Sequence, residues 1–74
     1  TRDGLKHNAA RSIKHGITIV EYLNEMIEIF SPTHPEQAEQ LQVILSINLD
    51  SIDALSAFLD ATWGIDKDNI HKWF

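Results

Sequence analysis

The chain has 74 residues, no cysteine and a formal net charge of −5 at pH 7. A chain of this size can bury only about 60% of its unfolded surface, which allows one small core and excludes a multidomain enzyme. The absence of cysteine excludes a disulfide scaffold, a thiolate metal site and a cysteine nucleophile. We therefore expect one domain over residues 1–74, with self-association as a further source of stability.

The net charge divides unevenly along the chain. Residues 1–15 contain four Lys or Arg and one Asp, a net +3, whereas residues 16–74 contain two Lys and ten acids, a net −8. This asymmetry favours electrostatic orientation of a partner over attraction to polyanions. No apolar run approaches the ~20 residues of a membrane span, and no signal peptide is apparent. A cytoplasmic location is the expectation, and no membrane span is predicted.

Apolar residues recur at helical spacing almost throughout, and no segment alternates as a strand does, which predicts an all-α fold. The first helix is expected over about residues 4–15, with Asp3 as its cap and Gly16 just beyond its end. The second is expected over about residues 19–30. The alternative is one continuous helix over residues 5–30, because a 3-4 spacing of apolar residues passes through Gly16.

Two capping boxes are predicted to mark helix starts. Thr18 with Glu21 would begin the second helix, and Thr33 with Glu36 would begin a third helix over about residues 35–47. The prolines at positions 32 and 35 indicate a loop between the second and third helices. The sequence therefore contains a firm boundary between two halves.

The segment Asn48–Ser51 contains three poor helix formers, which predicts a turn with Asp50 as the cap of a fourth helix. Gly64 is expected to end that helix. The alternative is one helix over residues 35–63, with Asn48 at a position facing the neighbouring helix, because the 3-4 spacing continues through this segment.

After Gly64, Ile65 is expected to pack back on Leu59. Asp66 is expected to cap a last short helix over about residues 67–73. The sequence thus predicts a small bundle of four helices plus a short C-terminal helix, or a hairpin of two long helices if both ambiguous breaks are absent. The predicted core consists of Ile13, Val20, Leu23, Ile27, Phe30, Leu41, Leu45, Ile52, Leu55, Leu59, Trp63 and Ile70.

No catalytic residue, cofactor or metal site is expected, and the chain is not predicted to be an enzyme or to bind a small-molecule substrate. The three glycines are scattered and form no phosphate-binding loop. An acidic stripe on the second helix lacks the Glu-x-x-His partners of di-iron bundles. The four histidines do not have the spacing of metal ligands; they are His7, His15, His34 and His71.

The second helix is more apolar than a single surface helix, which favours burial against a second subunit. The leading prediction is a non-catalytic protein–protein interaction module, a small regulatory or adaptor protein acting as a homodimer that buries parts of the second and fourth helices. Aromatic residues and Met are favoured at interfaces; the expected partner-binding residues are Tyr22, Met26, Phe58, Trp73 and Phe74. Charged residues are expected to orient the partner; these are Arg11, Lys14, Glu21, Glu25 and Glu28.

Two other functions stay open at this point. One is a nucleic-acid-binding regulator that uses the basic N-terminal helix, with Lys6, Arg11 and Lys14 facing phosphates. The other depends on the segment Asp50-Ser51-Ile52-Asp53, which resembles the Asp-Ser-Leu attachment site of acyl carrier proteins. This resemblance implies a carrier protein with Ser51 as its attachment residue, at the start of a helix.

Overall fold

The chain folds into a hairpin of two long antiparallel α-helices. The structure is a computed structural model and describes residues 2–74, with Arg2 and Asp3 in their backbone only. Helix α1 spans Arg2–Phe30, helix α2 spans Pro35–Trp63, and a 3₁₀ helix spans Ile70–Trp73. The all-α prediction is confirmed and the helical hairpin is the correct alternative. The predicted cap Asp3 lies outside the described side chains.

The predicted helix break at Gly16 is wrong, because α1 runs through it without interruption. Gly16 faces the other helix, and a Cβ at this position would lie 3.0 Å from Ile52 Cγ1. The missing side chain therefore serves close packing of the two helices and does not end a helix. Thr18 forms no capping box with Glu21, since its hydroxyl donates to the Lys14 carbonyl one turn earlier, at 3.3 Å.

The predicted turn at Asn48–Ser51 is wrong as well, because α2 is continuous. The half-buried Asn48 donates from its side-chain amide to the Ile44 carbonyl at 2.8 Å, so the helix itself provides a partner for the amide. Asp50 and Ser51 lie in the middle of α2 and are exposed. The acyl-carrier resemblance implies that Ser51 lies at the start of a helix. In the structure Ser51 lies in the middle of one.

The loop between the helices is short and begins where Pro32 predicted a boundary. Pro35 occupies the first turn of α2, as expected. The capping box of Thr33 with Glu36 does not form, because His34 takes the cap position without a side-chain bond to the helix. The Thr33 hydroxyl lies instead 2.8 Å from His34 Nδ1.

The two helices meet along a seam of residues at 3-4 spacing. All of these residues are buried or half-buried except Phe30 and Thr62 near the seam ends. The seam consists of Lys6, Ala9, Ile13, Gly16, Val20, Leu23, Ile27 and Phe30 on α1, and of Ala38, Leu41, Leu45, Asn48, Ile52, Leu55, Leu59 and Thr62 on α2. Ten of the twelve predicted core residues lie on it, although Phe30 is 36% exposed and was wrongly placed in the core.

The C-terminal tail, residues 65–74, folds back over the open end of the hairpin. Gly64 ends α2 in the left-handed conformation, as predicted, with φ 67°. Ile65 and Leu59 are both buried in the core, and the remaining predicted core residues Trp63 and Ile70 pack against the same cluster. The Asp66 carboxylate accepts from the backbone N–H groups of Asp68 and Asn69, but the helix that follows is a short 3₁₀ helix, not an α-helix over residues 67–73.

Candidate interaction surface

One face of the hairpin carries no charge among the described side chains, and it is built from the positions that directly precede the seam residues. A step of one residue turns an α-helix by about 100°. Because α1 and α2 are antiparallel and both right-handed, the positions one before the seam lie on the same side of the hairpin. This surface, the uncharged face, consists of Leu5, Asn8, Ser12, His15, Ile19, Tyr22, Met26 and Ile29 on α1, and of Gln37, Gln40, Ile44, Ile47, Ser51, Ala54, Phe58 and Ala61 on α2.

All sixteen residues of the uncharged face are solvent-exposed, and none is Asp, Glu, Lys or Arg. Most of the large exposed apolar side chains of the described residues belong to it, among them Tyr22 at 61% exposure and Ile47 at 62%. Folded proteins expose scattered apolar residues, but a continuous apolar patch marks an interaction site. The uncharged face is therefore the candidate functional surface.

The opposite side, built from the positions that directly follow the seam residues, is the charged face. On the part of α1 and α2 whose side chains are described, it carries one Lys and five acids. These are Lys14, Glu21, Glu28, Glu39, Asp53 and Asp60. Arg11 and Glu25 lie on the outer side of α1 and are also exposed. Among the described residues, no ion pair joins Arg11 or Lys14 to a Glu of α1, so these charges face water.

The C-terminal tail covers the open end of the charged face and leaves the uncharged face bare. His7 Nδ1 donates to the Trp73 carbonyl at 2.9 Å, and the two rings meet edge to face at 5.2 Å. Lys6 Nζ lies 5.1 Å from the centre of the Trp73 ring. Ala10 beneath this contact is fully buried. Among the described residues, the tail therefore covers the charged face and not the uncharged face.

A cavity of about 360 Å³ lies between the tail and the hairpin. Its walls are apolar; they are formed by Ile13, Ile17, Ile52, Ile65, Ile70 and Phe74. Ser56, Asp66, Lys67 and His71 stand around it. Within the part of the chain that the structure describes, no side-chain hydrogen bond joins any two of these four.

The predicted partner-binding residues fall into two groups. Tyr22, Met26 and Phe58 lie on the uncharged face and are exposed. Trp73 and Phe74 belong to the tail and pack, half-buried, against the core. Sequence reasoning missed several other apolar residues of this face; they are Leu5, Ile19, Ile29, Ile44 and Ile47. A signal in the sequence could have found them. The residues one position before the core residues also recur at 3-4 spacing, and none of them is charged.

The histidines are not brought together. His15 lies on the uncharged face, and His34 packs edge to face against Phe30 at 5.7 Å. In the described part of the chain, no group of three or more His, Asp or Glu residues could hold a metal ion.

Helix α2 is long and apolar enough to cross a membrane by length and composition alone. Buried core helices of globular proteins pass the same test, but the apolar stretch of α2 contains no fully buried residue in this hairpin. Asp50 and Asp53 lie near the middle of this helix, where a bilayer would impose a large cost on a charge.

No known protein family, curated protein or solved structure matches this chain.

Proposed function

We propose that the chain is a non-catalytic protein–protein interaction module, a small regulatory or adaptor protein that acts as a homodimer. The observation that carries this proposal is the uncharged face, on which every position is exposed and none is charged. Interfaces are depleted of charged residues at their centres and enriched in aromatic residues and Met. Tyr22, Met26 and Phe58 provide these residue types on this face.

The surface area supports a second copy as the occupant. A folded chain of 8.4 kDa is expected to expose about 4,600 Å², whereas this chain exposes 5363 Å². The excess is comparable to the roughly 800 Å² that each partner buries in a standard interface. The radius of gyration, 14.9 Å, also exceeds the about 11 Å of a compact domain of this length. Pairing two hairpins through this face would bury the excess area.

The charge distribution favours a protein over a lipid surface or a nucleic acid. Helices that lie on membranes carry Lys and Arg opposite their apolar face, whereas the charged face here is mostly acidic. The competing nucleic-acid proposal depends on the basic N-terminal segment, in which Arg11 and Lys14 are exposed and Lys6 lies over Trp73. The five acids of the charged face would repel a polyanion approaching from that side.

In the proposed homodimer, the charges expected to orient a partner stay on the outside. Lys14, Glu21 and Glu28 belong to the charged face, and Arg11 and Glu25 to the outer side of α1. We propose that these residues steer a further partner of the dimer, while the uncharged face holds the two copies together.

Sedimentation equilibrium of the wild-type chain over a micromolar concentration range tests this proposal. We expect a mass near twice the 8.4 kDa of one chain. A mass of one chain at every concentration would refute the homodimer.

A further inference from the structure

The uncharged face has two unequal halves. The half next to the inter-helix loop, called the loop half, is rich in large apolar side chains; these are Ile19, Tyr22, Met26, Ile29, Ile44 and Ile47. It also carries Gln37 and Gln40 at its loop end. The half next to the chain ends, called the open half, carries Leu5 and Phe58 among small or polar residues; these are Asn8, Ser12, His15, Ser51, Ala54 and Ala61. The way in which two copies pair through this face therefore decides whether the apolar residues of one copy contact apolar or polar residues of the other.

A symmetric dimer through one face allows two arrangements. A two-fold axis parallel to the helices puts both loops at the same end, with α1 of one copy against α2 of the other. A two-fold axis across the helices puts the loops at opposite ends, with each helix against its own equivalent. In both arrangements neighbouring helices are antiparallel, so the helix dipoles do not distinguish them.

Side-chain chemistry distinguishes the two arrangements. With the loops at the same end, Ile19 and Tyr22 come level with Ile47 and Ile44 of the partner subunit and form an apolar contact. Met26 and Ile29 come level with Gln40 and Gln37 of the partner subunit at the loop edge. With the loops at opposite ends, each loop half lies on the open half of the other copy. Ile19 and Tyr22 would then meet the polar side chains of Asn8, Ser12 and His15, which would lose their water without matched partners, whereas Ile44 and Ile47 would meet Phe58, Ala54 and Ala61.

Electrostatic repulsion opposes the same-end arrangement but does not decide the outcome. Residues 16–48 carry five acids and no Lys or Arg, so this arrangement brings two negative segments near each other. All five acids lie off the uncharged face and most are on the far side of the hairpin from the partner. Exposed charges farther apart than the Debye length, about 10 Å at 0.1 M salt, are largely screened.

We infer that two copies pair through their uncharged faces with both loops at the same end and form a four-helix bundle. This inference rests on the proposed homodimer and adds its geometry. The loop halves form the apolar centre of the interface, and the two C-terminal tails lie on the outer surfaces at the opposite end.

Distances between spin labels on the two copies test the geometry. The chain has no cysteine, so one introduced cysteine carries one label. The Thr33→Cys variant places the label in the exposed loop. Packed helices lie about 8–10 Å apart, and the side arms of the two labels add to this separation. The same-end bundle therefore predicts a label distance of about 20–25 Å. A distance near the 47 Å length of the molecule would overturn the same-end geometry while the homodimer stands.

A matched variant separates failure of the geometry from failure of the proposed function. Ser46→Cys places the label near the middle of α2 on the charged face, where it is exposed. Its distance to the equivalent label falls within the measurable range in either arrangement, so it reports dimerisation alone. If the Ser46→Cys variant gives no dipolar signal at micromolar concentration, the homodimer fails and the geometry fails with it.

Discussion

Gly16 allows α1 and α2 to approach each other in the middle of the hairpin. A Cβ at this position would lie 3.0 Å from Ile52 Cγ1 and 3.3 Å from its Cδ1. A glycine inside a helix costs roughly 0.5–1 kcal/mol relative to alanine. The close contact offsets that cost, which explains why the helix continues through a residue that usually weakens it.

Replacing Gly16 by valine tests this role. We expect Gly16→Val to lower the free energy of unfolding by roughly 1–3 kcal/mol, because the larger side chain forces the helices apart. Urea unfolding followed by circular dichroism, at one protein concentration, measures the effect. Lys14→Val, at an exposed position of the same helix, is the control and should change stability by under about 1 kcal/mol. A Gly16→Val variant as stable as the wild type would contradict the close-packing role.

At the scale of elements, Gly64 ends α2 and directs the tail over the charged face. Its φ is 67°, and its N–H donates to the Asp60 carbonyl at 2.8 Å. A Cβ here would meet no atom within 4 Å, so a substitution tests the backbone conformation alone. Left-handed backbone costs an ordinary L residue roughly 1–2 kcal/mol, and Asn tolerates it better than Ala.

We therefore expect Gly64→Ala to lower the free energy of unfolding by roughly 1–2 kcal/mol and Gly64→Asn to lower it by less. Thermal and urea unfolding of the two variants beside the wild type provide the comparison. Equal stability of Ala and Asn variants, or no loss in either, would show that the left-handed turn does not constrain the tail.

The helices themselves could be predicted from the sequence, but their continuity could not. Apolar spacing, the Pro32–Pro35 boundary and Gly64 are local signals, and each corresponds to a real feature of the fold. Gly16 and Asn48 look like breaks because their helix propensity is low. The helix continues through Gly16 because this residue packs against Ile52, which is distant in sequence. It continues through Asn48 because the side-chain amide donates a hydrogen bond to the Ile44 carbonyl in the preceding turn.

The candidate surface could be predicted only in part, because it too depends on the continuity of the two helices. Tyr22, Met26 and Phe58 stood out by residue type, whereas Ile19, Ile44 and Ile47 did not. Finding them requires a single register that runs the full length of both helices. It also requires the antiparallel pairing that places the residues of α1 and those of α2 on one side of the hairpin. The predicted helix breaks at Gly16 and at Asn48–Ser51 interrupted this register.

At the scale of the whole molecule, the hairpin is amphipathic across its thickness. The tail and six charged side chains occupy one side, further charges lie on the outer sides of the helices, and the other side is exposed and carries no charge. A shape with principal extents of 47 × 21 × 17 Å leaves little interior for a hairpin alone. In the proposed homodimer, pairing of two uncharged faces would give each copy a second layer of helices.

The central claim, that the uncharged face is the dimer interface, is tested most directly by two glutamate substitutions in α2. Ile44 on the uncharged face and Leu49 on the charged face are both 45% exposed. Sedimentation equilibrium of Ile44→Glu and Leu49→Glu compares the same change in charge on opposite sides of one helix. We predict that Leu49→Glu keeps the dimer mass and that Ile44→Glu weakens dimerisation at least about tenfold, because pairing would bury an unpaired carboxylate. Equal dimerisation of the two variants would contradict the claim.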